Sequence, residues 1–135
     1  MQFPGATKAG GTTLGAPDVC KVPAPPAPPI PTPFPNNGDV DGSDDTVEKV
    51  VAEKKEIVVE SSKISRTKGD EPGTLKGMVS SDDMGQVAFK QYSSKVYVDG
   101  KKWVHHTATT GHNGNNANVP GGHLSPSQTK ILIGT

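Results

Sequence analysis

The hydrophobic positions of this chain fall in short alternating runs rather than in helical stripes. The clearest case is SSKVYVDGKKWVHH, residues 93–106, where two alternating runs flank Asp99–Gly100. Asp-Gly between alternating runs is a strong cue for a two-residue hairpin. The stretches TVEKVVA (46–52) and IVVESSKIS (57–65) are rich in Val and Ile and predict a second hairpin that turns at Glu53–Glu56. The competing reading is one amphipathic helix around Thr46–Glu56. Gln86–Tyr92 and Lys130–Ile133 each read as a strand. Residues 67–85 carry four Gly and one Pro and read as loop, with a short strand at Met78–Ser80. Residues 107–123, rich in Gly and Asn, read as loop throughout.

The N-terminal part is of a different kind. Residues 1–19 are small and polar and read as an extended lead-in, and residues 38–45, GDVDGSDD, as an acidic turn. Between them, Pro23–Pro35 alternates proline with Ala, Ile, Thr and Phe. Such a backbone is held near polyproline II and lacks amide donors, so it predicts an extended arm packed across the surface through Ile30 and Phe34. The competing reading is a linker or a ligand for a proline-binding domain. The acidic turn begins like a calcium loop, but counting from Asp39 the twelfth position is Val50, where a bidentate Glu is needed.

Composition narrows the class. The 135 residues include 16 Gly and 13 Pro, and 31% are hydrophobic. That many breakers exclude a helical bundle. No apolar run approaches the ~20 residues of a membrane-spanning helix. Fourteen basic residues cancel fourteen acidic ones, so no excess positive charge serves nucleic acid. The expectation is one all-β domain over residues 1–135: lead-in 1–19, Cys20 with the Pro-rich arm 20–37, acidic turn and hairpin 38–66, and hairpins with a His-rich loop 67–135. No charged segment followed by an apolar one opens the chain, which predicts a cytoplasmic protein that leaves, if at all, without a signal peptide.

A small apolar-poor domain needs a staple. Cys20 is the single cysteine, so an internal disulfide is excluded, and a metal is the usual substitute. The four histidines all lie after residue 104. One thiolate and three imidazoles suit tetrahedral zinc. In KKWVHH, Val104 and His106 share one face of a strand while Trp103 and His105 share the other. The face of Val104 is the better candidate for the interior, so His106 is preferred to His105, and His112 and His123 complete the set with Cys20. A thiol-protease arrangement is disfavoured because a closed four-ligand site leaves no position for substrate, so a protein without enzymatic activity is expected.

GAPDVCKVPAPPAPPIPTPFPN, GDEPGTLKGMVSS, SSKVYVDGKKWVHH and GHLSPSQTKILIG resemble, in order, the landmarks of the PAAR-like proteins of bacterial type VI secretion systems. The literal Pro-Ala-Ala-Arg motif is absent, and Lys102–His105 stands in its place. The resemblance implies a short cone of β-hairpins with zinc near its point, its base seated on a trimeric valine-glycine repeat spike protein, one tip per trimer. It implies a tip that sharpens the spike for transient passage through a target membrane and that is carried out of the cytoplasm on it. It also implies zinc ligation by one Cys and three His, which carry over to Cys20, His106, His112 and His123. With nothing after Thr135, the reading is a stand-alone tip. The alternative is a zinc-stabilised adaptor or binding module that docks an effector or other partner through its Pro-rich arm.

Overall fold

The computed structural model describes residues 2–135 and is all-β, with a single 3-10 turn at Val40–Gly42 among the described residues. Met1, the first residue of the expected lead-in, lies outside them. In chain order the strands are β1 (Gln2–Pro4), β2 (Thr12–Ala24), β3 (Ala27–Asp39), β4 (Ser43–Asp44), β5 (Val47–Ala52) and β6 (Lys55–Ile57). There follow β7 (Lys63–Ile64), β8 (Val87–Phe89), β9 (Tyr97–Val98), β10 (Lys101–Lys102), β11 (Thr109–His112), β12 (Val119–Ser125) and β13 (Leu132–Gly134). Seven strands form one sheet in the order β3-β2-β12-β11-β8-β7-β4, and three two-stranded ribbons, β1-β13, β5-β6 and β9-β10, surround it.

The predicted hairpins are present where local turn chemistry is decisive. Asp99 and Gly100 both have positive φ, 52° and 79°, and join β9 to β10. Glu53 and Lys54, at 51° and 67°, do the same between β5 and β6. Two positive φ values in a two-residue turn match the twist of the flanking strands, which other turns splay. The helix alternative for 46–56 is thereby excluded. The second arm of that hairpin ends at Ile57, and Lys63–Ile64 instead joins the large sheet through β8. Residues 78–80 form turns rather than a strand.

Two expectations are corrected. The lead-in and the Pro-rich arm are not an appendage laid across a finished domain. They are the two 13-residue strands β2 and β3, paired from Thr12↔Asp39 to Ala24↔Ala27. Proline lacks a donor, and β3 accommodates it by being the edge of the sheet, where half of the amides have no partner strand to serve. The second correction concerns 107–123, which is not loop throughout: β11 and β12 lie within the sheet, laddered on both sides. Glycine permits this. A Cβ on Gly15 would lie 2.8 Å from His112 Cγ, and one on Gly121 2.7 Å from His112 Cδ2 and Nε2, so the bare glycine backbones make room for the imidazole.

Two apolar clusters hold the strands together. One comprises Ala6, Val40, Val58, Ile64, Val87, Phe89, Val104 and Ala108. The other gathers Val47, Ala52, Ile57, Val59, Val98, Trp103 and Ile133. Consecutive residues Val58 and Val59, and again Trp103 and Val104, serve different clusters. The segment through Trp103 therefore has interior on both faces. Its alternation does not mark an inside and an outside, and this bears on the histidines that follow it.

Candidate metal centre

Asp18 and Cys20 stand two residues apart on β2, so their side chains share one face, and both are fully buried. Asp70 reaches the same place from the 67–85 loop, which is tied to β2 by Lys21 N–H to the Lys76 carbonyl (2.9 Å) and Met78 N–H to the Val19 carbonyl (3.1 Å). Asp70 is also fully buried. The Cys20 thiol lies 3.7 Å from Asp18 Oδ1 and 3.9 Å from Asp70 Oδ2. One ligand atom from each of the three residues falls within 4.8 Å of the others. This buried group could hold a metal ion. Gly73 makes the approach feasible, because a Cβ there would collide with Cys20 Cβ.

The surroundings orient the carboxylates. Asn36 Nδ2 donates to Asp18 Oδ2 at 3.1 Å, and the amides of Asn113 and Asn118 donate to Asp18 Oδ1. Asn113 Nδ2 also lies 3.5 Å from the sulfur. Met84 N–H donates to Asp70 Oδ2 at 3.1 Å, while Asp70 Oδ1 is buried without a partner. Burial, then the charges of Asp18 and Asp70, pushes the Cys20 thiol up to about 12. Burial, then its hydrogen-bonded neighbour Asp18, pushes Asp70 up to about 6. The thiol and the Asp70 carboxyl thus each hold a proton in a poorly solvated space beside Asp18. A divalent cation reverses that balance, stabilising the thiolate and both carboxylates together.

A thiolate at ~2.3 Å and carboxylate oxygens at ~2.0–2.2 Å from tetrahedral zinc lie about 3.5 Å apart. The observed 3.7 and 3.9 Å separations, to Asp18 Oδ1 and Asp70 Oδ2, are close to that edge length, and the other Asp70 oxygen, Oδ1, is buried without a partner. The donor set therefore fits a divalent metal ion.

Of the four residues expected to bind metal, only Cys20 belongs to this group. His112 is fully buried nearby, with Nδ1 2.8 Å from Asn36 Oδ1 and Nε2 2.9 Å from Thr110 Oγ1. Both ring nitrogens are engaged, and Asn36 links the imidazole to Asp18. His106 and His123 form a separate cluster, their rings 5.8 Å apart and edge to face. Among the described residues, no close group of three metal-binding side chains contains a histidine. The Val104 face does not carry His106 into the interior as expected. His105 is buried, stacked on Phe3 at 5.5 Å, whereas His106 is only half-buried, with Nε2 2.8 Å from the Leu124 carbonyl. The cause is the two-sided interior of the 103–105 segment. Sequence reading missed Asp18 and Asp70. Asp18 was legible, since PDVC puts an acid on the thiol's face of a strand. Asp70, fifty residues away on an irregular loop, carried no such signal.

Gly73→Ala is expected to separate the loop from β2. The variant should bind metal at least tenfold more weakly in a competition titration while keeping the β-sheet circular dichroism spectrum.

Comparison with known proteins adds identity to geometry. A family model described as "Toxin PAAR-like domain" matches residues 11–120. The DNase toxin Tse7 of Pseudomonas aeruginosa is 36% identical over 120 residues, a match covering 84% of this chain and 31% of that protein. The chain thus spans about a third of the length of that relative. The relative is a DNase toxin, which overturns the expectation of a protein without enzymatic activity. No solved structure matches.

Proposed function

The chain belongs to the toxin PAAR-like family, and from that premise we propose that it is a metal-stapled spike-tip module of a type VI secretion system, seated on a trimeric valine-glycine repeat spike protein and delivering a toxin. The observation that carries this reading is the position of the Asp18–Cys20–Asp70 group inside the family segment. There β2, the longest pairing in the fold, meets the irregular 67–85 loop. A tip driven through a membrane must resist force with a small apolar core, and a coordination bond does this where packing cannot. When bound, zinc would supply a structural cross-link. Cys20, Asp18 and Asp70 would hold it, and Asn36, Asn113, Asn118 and the Met84 amide would keep the carboxylates aimed.

The family's description and the relative's name support a second reading, in which the chain works within a DNA-cleaving protein. Two measurements separate these readings. Native mass spectrometry with the spike trimer encoded beside it should give one copy per three spike chains. Three copies per trimer, or no assembly, would refute the spike reading. Nicking of supercoiled plasmid by the purified chain, abolished by a single buried substitution, would establish the second.

A further inference from the structure

The outer edge of β3 carries an unusual pattern. In β2, the odd-numbered residues face away from β3: Lys21 N–H bonds Lys76, and the Val19 and Lys21 carbonyls accept from Met78 and Leu75. The even-numbered residues of β2 therefore face β3, where Asp18, Cys20 and Val22 pair with Phe34, Thr32 and Ile30. Alternation then directs the backbone groups of the odd positions of β3 outward. Asn37 confirms the direction, since its amide donates outward to the Lys68 carbonyl at 2.7 Å. The outward positions before it are Pro35, Pro33 and Pro31, up to the register shift on the N-terminal side of Ile30.

This edge therefore presents carbonyl acceptors with no amide donors. The Pro35 carbonyl is approached by the 67–85 loop, since a Cβ on Gly69 would run into its oxygen, although the residue itself is exposed. Pro29, Pro31 and Pro33 are exposed; Pro31 and Pro33 put their rings on one face of the strand, and Ile30, itself 54% exposed, stands on the other. No charged residue occurs between Lys21 and Asp39. An added β-strand needs both donors and acceptors from an edge, so this edge rejects strand addition. A surface that offers donors only, between flat apolar walls, satisfies it fully. Indole N–H and phenol O–H groups lining an aromatic groove are such donors, and proline rings fit the spaces between aromatic rings.

We propose that the Ala27–Phe34 edge of β3 is a docking site for a partner protein that presents an aromatic-lined groove with indole or phenol donors. The proposal is independent of the metal and of the spike.

The test uses the full isotope-labelled chain and N-acetyl-L-tryptophanamide as the groove's minimal mimic, with its 1-methylindole analogue as the donor-free control. Saturable NMR shifts confined to the amides of Ala27, Ile30 and Thr32 and the Ile30 methyl groups are expected. The control should bind about threefold more weakly or worse, the loss of one hydrogen bond. The combined P29A/P31A/P33A variant, shown to be folded by its amide spectrum, should lose the shifts. Shifts scattered over the surface, equal binding of the two compounds, or unchanged binding by the variant would overturn the proposal. So would perturbation of the same residues by phosphatidylcholine vesicles and not by the indole, which would make the edge a lipid contact.

Discussion

Cys20→Ser will strip the protein of its metal and lower its stability by far more than any surface change. Wild-type protein purified without chelator should carry about one divalent ion per chain by elemental analysis, and the variant close to none. Structural zinc contributes ~10–16 kcal/mol of apparent binding energy in small domains, and removing the thiolate forfeits much of it. In the metal-free protein the same substitution should be nearly silent. The thiol there is neutral, its pKa pushed up to about 12, and its polar contacts are the weak ones at 3.5–3.9 Å. Chelator should therefore lower the melting temperature of the wild type and leave the variant unmoved. Wild type without stoichiometric metal, or a variant that retains it, would remove Cys20 from the centre.

Acidification provides the second large effect. Burial holds both His112 and His123 down, each from 6.5 to about 4. A depressed histidine must stay neutral in the fold. Its contribution is complete above the unfolded value near 6.5 and is lost as pH falls through that value towards 4. At 1.36 kcal/mol per pH unit, each histidine forfeits about 3 kcal/mol across that window. Asp70 acts in the opposite sense in the metal-free protein. Its folded value, raised to about 6 from 3.8, favours the protonated form, so the fold regains about 3 kcal/mol as pH falls from 6 to below 4. The metal-free chain should therefore lose about 3 kcal/mol net between pH 7 and pH 4. The metal-loaded chain should lose more, because protons displace the cation from the same ligands. Denaturant melts at the two pH values, with and without chelator, measure both. His112→Gln, which keeps a neutral hydrogen-bonding side chain, should remove about half of the histidine loss. A stability that does not change with pH in the metal-free chain would mean that these imidazoles are not held neutral.

These two effects meet at one structural fact: no histidine joins the close group formed by the thiol and the two aspartates among the described residues. His112 is linked to Asp18 through Asn36, and His123 sits with His106 and against Phe89. Counting a cysteine and histidines suggested one tetrahedral centre. The fold instead spends two of the imidazoles as buried neutral groups, and asks two aspartates to stand beside the sulfur.

What the sequence determined by itself was local. Asp99–Gly100 names its turn because few residues tolerate two successive positive φ values, a restriction acting within two residues. The Val-rich arms around Glu53–Lys54 pair because the strands they join are adjacent in the chain. The prolines of β3 already exclude any central strand. PDVC sets an acid and a thiol on one face through the two-residue period alone. The tertiary structure decided whatever depends on closing long loops. It brought Asp70 to Cys20 across fifty residues, and it built β11 and β12 from a Gly- and Asn-rich stretch by giving both strands partners. By placing an apolar cluster on each side of the 103–105 segment, it buried His105 and left His106 at the rim. Alternation reports which residues share a face, but only the packed neighbours decide which face is inside.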